Sequence, residues 1–167
     1  MPRSVPADMP IQPSLLDRLL DDHPGEKEEP VWAAAQVVRR VRDSLCRDLQ
    51  NLLNTRRSLD ALPEECVELG SSLLNYGLPD LQSLEIREDH ELVRLCRLIE
   101  ESIQNFEPRL QGVRVRPLIG EDGRRPFDRR LRFEIEAVLV VEPLREPVVF
   151  ASALDLSSGV FDVERAS

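Results

Sequence analysis

The residues best placed for chemistry are Glu107 and Arg109, which flank Pro108 in a Glu-Pro-Arg segment. A carboxylate can be the general acid of a glycosidase, but it must then hold a proton and work with a second carboxylate about 5–10 Å away. The neighbouring guanidinium favours the ionised carboxylate instead. Two other roles remain open, an ion pair that locks the segment and a charge pair that faces a partner protein. Because exposed ion pairs stabilise a fold by only about 0–1 kcal/mol, we favour the partner-facing role.

Other motifs of catalysis or ligand binding are absent from the sequence. It has no phosphate-binding loop, dinucleotide fingerprint, HExxH motif or nucleophile elbow. His23 and His90 stand alone in polar segments. Cys46, Cys66 and Cys96 form no CxxC pair, which favours reduced structural thiols over a metal site or a disulfide. We therefore expect a protein that is not an enzyme and that uses no metal or cofactor.

The charge distribution limits the possible partners. The net charge is −9 over 167 residues, which argues against a general nucleic-acid binder, since such proteins need a basic face for phosphates. Residues 109–132 nevertheless hold eight arginines against three acids. This cluster either faces an acidic partner protein or reflects a general preference for arginine, because the chain has 21 Arg and one Lys.

The sequence offers no evident route into a membrane. The N-terminus lacks a charged start followed by an apolar run, so no signal peptide is expected. The apolar run Ala137–Val141 is far too short to span a bilayer. We expect a cytoplasmic protein without direct membrane insertion.

Two long helices are predicted before the strands. They cover Val31–Thr55 and Asp89–Phe106, where apolar residues recur at the three- and four-residue spacings of one helix face. The two stripes are Val38, Val41, Leu45, Leu49 and Leu52, and then Leu92, Leu95, Ile99, Ile103 and Phe106. We expect both stripes to lie in the core.

The last third of the chain predicts strands. They are expected at Val113–Ile119, 131–141, Val148–Leu156 and Val160–Val163, with Pro143 and Pro147 bracketing one connection. Residues 137–141 are apolar throughout, which predicts that both faces of the sheet are covered there. Helices followed by a meander predict an α+β fold, with helices packed on one face of a mostly antiparallel three- to four-stranded sheet. Its terminal strand would be an open edge that can pair with another chain.

Pro108 marks the junction between the second helix and the first strand. A proline disfavours helical dihedrals in the preceding residue, so Glu107 is expected to be extended. Residues i and i+2 of an extended chain point the same way. The junction therefore predicts that Glu107 and Arg109 leave the fold side by side.

The chain divides into a tail and one domain. Residues 1–30 form a flexible, proline-rich and acidic tail with a short helix at 14–21, and residues 31–167 form a single α+β domain. The leucines of that short helix must dock on the domain or on a partner, since so short a helix is marginal alone. Within the domain, Asn75-Tyr76-Gly77 predicts a turn.

Four segments together resemble a known family. They are Pro13–Leu19, Asp48–Arg56, Asn75–Leu81 and Ile103–Leu110, the last containing Glu107-Pro108-Arg109. In this order they resemble TssE, the type VI secretion baseplate subunit, which is similar to a wedge subunit of contractile phage tails. The resemblance runs from about residue 13 to the C-terminal strands and supports a baseplate-wedge-like domain.

The resemblance implies a non-enzymatic structural adaptor of the type VI secretion baseplate. It would link the wedge subunits TssF and TssG to the contractile sheath of TssB and TssC, and it would start sheath assembly. TssK and the base of the spike and tube are further candidate partners. The expected location is the cytoplasmic side of the inner membrane, and no nucleic acid is expected.

The resemblance also implies contact residues. Glu107 would accept donors from a wedge helix, Arg109 would donate to a partner acid or carbonyl, and Pro108 would fix their direction. The expected partner-binding residues are Glu107, Pro108, Arg109, Asn75, Tyr76, Gly77, Leu15, Leu16 and Leu19. The expected sheath-docking strand comprises Val148, Val149, Phe150, Val160 and Phe161.

Two alternatives stay open. One is a muramidase with Glu107 as general acid, although the "lysozyme-like" label of the family favours neither a second carboxylate nor a pocket here. The other is a regulatory module that binds a partner through the helix Ser14–Asp21.

Overall fold

The computed structural model describes residues 19, 34–58, 65–81, 89–118, 130–142 and 144–166. Helix α1 (Ala34–Asn54) is followed by two short 3-10 helices (Val67–Ser71 and Leu73–Asn75) and by helix α2 (Asp89–Phe106). Strands β1 (Leu110–Pro117), β2 (Arg130–Val141), β3 (Leu144–Asp155) and β4 (Val160–Arg165) form one antiparallel sheet in the order β1-β2-β3-β4. The predicted α+β fold is confirmed.

The core lies between the two helices and one face of the sheet. Helix α1 packs on β4 and helix α2 packs on β1, so the two helices lie side by side on one face of the sheet, each near one of its edges. Most residues of the two predicted stripes are buried, while Val38 and Phe106 are partly buried against the core. The sheet contributes Phe133, Ile135, Leu139, Phe150, Leu154 and Phe161, each at most 1 % exposed. The apolar period predicted the helices correctly because their burial is one-sided.

The strand predictions were wrong in two respects. Strand β3 begins at Leu144, so Pro147 lies within it, opposite Val138. This proline is tolerated because β4 pairs with β3 only from Phe150 onward. Ala166 donates its N–H to the Val149 carbonyl (3.2 Å), so Pro147, two residues along, faces the same side beyond the end of β4, where no ladder bond is required.

The second correction concerns the outer face of the sheet. Val138 and Val140 are only half-buried, so the described residues do not cover both faces at 137–141. Within the described part of the chain, this run forms a half-buried patch on the outer face of the sheet. Val149 and Pro147 on the neighbouring strand β3 are exposed on this same face.

Side chains of helix α2 occupy part of the β1 edge. Glu100 accepts the N–H of Val115 through Oε1 (2.8 Å), and Gln104 donates its amide to the Val113 carbonyl (3.4 Å). An unpaired strand edge is a template for pairing with other chains. These two contacts reduce the number of free main-chain groups that β1 offers.

Asn54, at the end of α1, occupies part of the opposite edge. Its amide oxygen accepts the Phe161 N–H (2.8 Å) and its amide nitrogen donates to the Phe161 carbonyl (2.9 Å). These groups of Phe161 point away from β3. Because antiparallel pairing alternates along a strand, Val163 and Arg165 also direct their main-chain groups outward, to the open side of β4.

A pair of backbone hydrogen bonds, here called the Leu78 clamp, holds the loop after the 3-10 helices to the end of α1. Leu78 donates its N–H to the Thr55 carbonyl (2.9 Å), and its own carbonyl accepts the Arg57 N–H (2.9 Å). Gly77 precedes this clamp with φ +101°, and a Cβ atom there would lie 2.1 Å from the Thr55 oxygen. Glycine is therefore required at residue 77 for a local structural reason.

We predict that Gly77→Ala lowers the free energy of unfolding by about 2–4 kcal/mol, because the added methyl group meets both an unfavourable φ and main-chain atoms. Urea unfolding followed by circular dichroism measures this. Gly112→Ala is the matched control: Gly112 also has positive φ (+64°), but a Cβ atom there would have no atom of the described residues within 4 Å. It should cost only about 1–2 kcal/mol. Equal losses in the two variants would contradict the clamp.

Candidate functional site

The Glu-Pro-Arg segment forms a hydrogen-bonded turn. Glu107 still donates its N–H to the Ile103 carbonyl (2.8 Å) as α2 ends, and its own carbonyl accepts the Leu110 N–H (3.0 Å). Pro108 thus occupies the second position of a four-residue turn, where its fixed φ is favourable. Pro108 and Arg109 therefore form a turn and not the extended junction that was expected. Pairing with β2 begins at once, since the Val140 N–H donates to the Arg109 carbonyl (2.8 Å).

The Glu107 carboxylate is turned onto Arg109. Its Oε1 accepts the Arg109 main-chain N–H (3.2 Å) and Nε–H (2.7 Å), and its Oε2 accepts from Nη2 (2.5 Å). Glu107 is 6 % exposed. The two side chains do lie side by side, as predicted, but they bond one another instead of leaving the fold together.

Asp48 of helix α1 completes the ion-pair group. Its Oδ2 accepts from Arg109 Nη2 (2.6 Å), so one guanidinium joins two carboxylates that are 59 residues apart in the sequence. The bond to Glu107 is the largest cause that raises the pKa of Arg109, and the bond to Asp48 adds to it against the opposing effect of burial. The Asp48–Arg109–Glu107 triad therefore ties α1 to the start of β1.

This arrangement does not suit glycoside hydrolysis. A general acid must carry a proton, yet Glu107 accepts three hydrogen bonds from Arg109. The second carboxylate, Asp48, is bonded to the same guanidinium. Both carboxylates are therefore engaged by one guanidinium.

An open cleft of about 460 Å³ lies beside the triad. Its apolar lining comes from leucines of α1 and from Phe106 and Pro108, and its polar lining includes the three triad side chains. It is lined by Asp48, Leu49, Asn51, Leu52, Tyr76, Phe106, Glu107, Pro108 and Arg109. The rings of Tyr76 and Phe106 meet edge to face, with centroids 5.2 Å apart, so Tyr76 is held at the cleft wall.

Four of the predicted partner-binding residues therefore line one cleft: Tyr76, Glu107, Pro108 and Arg109. Asn75 and Gly77 do not line the cleft, but they flank Tyr76 in the sequence. Asn75 donates to the Gly70 carbonyl (2.8 Å), and Gly77 carries the backbone conformation described above.

Sequence reasoning missed the wall that α1 contributes. The apolar stripe places Asp48 on an outer face of a core helix, and neither Asp48 nor Asn51 is among the predicted site residues. A signal was present, because both belong to the Asp48–Arg56 segment that carries the family resemblance. Nothing in helical periodicity alone pairs an acid of α1 with an arginine near residue 109.

The remaining predicted contact residues lie elsewhere. Leu15 and Leu16 fall outside the described residues, whereas Leu19 is helical and 81 % exposed. On the sheet, the side chains of Val148, Phe150 and Phe161 are buried, while Val149 (38 %) and Val160 (52 %) are exposed. Phe150 pairs with β2 and β4, so its strand is not an edge at that residue.

The three cysteines are free thiols. Cys96 is buried, Cys46 is half-buried and Cys66 is exposed. Burial, followed by the charge of Glu100, raises the pKa of Cys96 to about 11, so it stays a protonated thiol. Among the described residues, no group of three or more His, Cys, Asp or Glu side chains could hold a metal ion. No helix in the described part of the chain is long and apolar enough to cross a membrane.

We predict that Glu107→Ala lowers the free energy of unfolding by about 2–3 kcal/mol. The substitution leaves Arg109 without its main partner, a loss that is softened by the partial exposure of the guanidinium. Urea unfolding followed by circular dichroism provides the value.

The matched control is Glu101→Ala, on the exposed face of helix α2, for which the expected change is within about 0.5 kcal/mol. If Glu107→Ala proved as stable as this control, the triad would not be a fold-stabilising element.

The comparisons with known proteins agree with this architecture. The family model described as "Baseplate wedge protein gp25" matches residues 39–144, which is more than half of the chain and includes most of α1, all of α2, the corner and the first two strands. Neither the curated proteins nor the solved structures gave a significant match. The match confirms the resemblance to the baseplate wedge family, whose role is structural. The chain belongs to the baseplate wedge protein gp25 family.

Proposed function

We propose that this protein is a structural adaptor of a type VI secretion baseplate, which links the wedge subunits TssF and TssG to the contractile sheath and starts sheath assembly. The family gives a structural role among baseplate components. The resemblance to TssE narrows that role to type VI secretion and to the cytoplasmic side of the inner membrane. TssK and the base of the spike and tube remain candidate neighbours.

The observation that carries the proposal is the cleft at the Glu-Pro-Arg corner. It brings the residues of three resembling segments, Asp48–Arg56, Asn75–Leu81 and Ile103–Leu110, to one surface. Its floor is apolar (Leu49, Leu52 and Phe106) and its rim is polar, which is the composition of a small protein-binding site. We assign this cleft to the wedge subunits.

The sheath would dock along the outer edge of β4, which is the edge of the sheet opposite β1. Beyond the Asn54 contact, the outward main-chain groups of Val163 and Arg165 can pair with an added strand. Exposed Val149 and Val160 would flank that strand. Phe161 itself is available only if Asn54 is displaced.

We predict that Asn51→Trp abolishes stable co-purification with TssF and TssG. Asn51 is exposed, lines the cleft and makes no side-chain hydrogen bond among the described residues, so a large ring there should fill the cleft without loss of folding. Affinity pull-down followed by size-exclusion chromatography reads out the complex.

Gln50→Trp is the matched control, because Gln50 is the neighbouring exposed residue of α1 but does not line the cleft. It should retain the wedge subunits. Retention by both tryptophan variants would remove the cleft from the interface and with it the main support for the adaptor function.

We predict that Arg165→Pro reduces sheath assembly on the baseplate at least about tenfold more than Arg165→Ala does. Both variants lose the exposed ion pair with Asp43 (3.3 Å), but only proline also removes an outward N–H that an added strand would use. Sheath length and number can be counted in cells that carry a fluorescent sheath subunit. Equal behaviour of the two variants would argue against strand addition at β4.

A further inference from the structure

The Glu107 carboxylate has little capacity left for a partner. It accepts three hydrogen bonds from Arg109, and its side chain is 7 % exposed. A partner donor could reach it only at the expense of these bonds. This differs from the role that the family resemblance implied, in which Glu107 accepts from a wedge helix.

Arg109, by contrast, keeps an unused donor. Its Nε and Nη2 atoms bond to Glu107 and Asp48, whereas Nη1 meets no acceptor among the described residues. The side chain is 24 % exposed and lines the cleft. A guanidinium is only a donor, so the two N–H groups of Nη1 are free to bond to acceptors of a partner.

Tyr76 supplies a second unused donor at the same cleft. Its ring is held against Phe106, and its hydroxyl makes no hydrogen bond with the described residues. Burial, followed by the charges of Asp48 and Glu107, raises the pKa of Tyr76, so the phenol stays protonated at neutral pH. The hydroxyl of this half-buried tyrosine is therefore free to donate to a group that a partner brings to the cleft.

The charges around these donors select the kind of acceptor. The single positive charge of Arg109 is shared by Glu107 and Asp48, and Arg47, 3.7 Å from Asp48 Oδ1, brings the group only to neutrality. The cleft therefore has no net positive charge with which to attract a carboxylate. A carbonyl oxygen is uncharged, so it can bind in the cleft without a net positive charge there.

We infer that the cleft binds neutral main-chain carbonyl oxygens of its partner, which accept from Arg109 Nη1 and the Tyr76 hydroxyl over the apolar floor of the cleft. The last carbonyls of a helix lack intrahelical partners and present several acceptors in one place. The C-terminal end of a partner helix is therefore the occupant to which we commit. This inference rests on the proposed function, because it names the group that the wedge subunits insert.

The first test is Tyr76→Phe in the complex with TssF and TssG. This variant keeps the ring contact and removes only the hydroxyl, which has no partner within the described residues. We expect the affinity to fall about 5–10-fold, the range of one neutral hydrogen bond, with no change in the thermal unfolding midpoint of the free protein. An unchanged affinity would overturn the inference.

The tryptophan variant separates this failure from a failure of the proposed function. If Asn51→Trp loses the wedge subunits while Tyr76→Phe binds like the wild type, the cleft remains the interface and only the donor assignment is wrong. If Asn51→Trp also binds like the wild type, the proposed function itself fails.

The second test is a cryo-electron microscopy structure of the same complex. We expect main-chain carbonyl oxygens within about 3.2 Å of Arg109 Nη1 and Tyr76 Oη. A partner carboxylate or a partner cation at these positions would overturn the inference.

Discussion

The pairing of one guanidinium with two carboxylates is the constraint on which the rest of this structure depends. Arg109 lies at the point where helix α2 becomes strand β1, and Asp48 lies on the other helix. Their contact ties α1 to the start of β1. The buried Glu107 carboxylate needs hydrogen-bond donors, and the tight turn at the corner supplies them by placing Glu107 against Arg109.

The same constraint creates the candidate binding surface. The triad ties α1 to the corner, and the cleft lies beside it, with Tyr76 held against Phe106 at the cleft wall. The Gly77 conformation and the Leu78 clamp to Thr55 then keep Tyr76 in place. The cleft thus belongs to a part of the molecule that long-range contacts make rigid, which reduces the entropy that a partner must overcome on binding. At the β4 edge of the sheet, the Asn54 contact with Phe161 leaves only part of the strand free for pairing.

The sequence predicted the fold correctly in the two helices, where only one side of each element is buried and apolar residues recur with the helical period. The stripes through Leu45 and Leu49, and through Leu95 and Ile99, predicted both helices because each faces the core on one side only. Pro147 misled the strand assignment, since sequence alone does not show that β4 stops short of it. The corner was misjudged for a different reason: helix α2 does end before Pro108, but the spacing did not show that residues 107–110 close a hydrogen-bonded turn. Glu107 and Arg109 were recognised as a unit, but their bond to Asp48 is a tertiary contact that spacing does not encode.

Hydrogen–deuterium exchange of the protein, alone and mixed with the proposed partners TssF and TssG, tests most directly whether the corner cleft is the assembly surface. The account predicts slower exchange in the complex for peptides that contain Asp48–Leu52, Asn75–Leu78 and Glu107–Leu110, with little change on the outer face of the sheet at Arg114 and Arg132. Unchanged exchange at all three cleft segments, with protection confined to the sheet or the N-terminal tail, would contradict it.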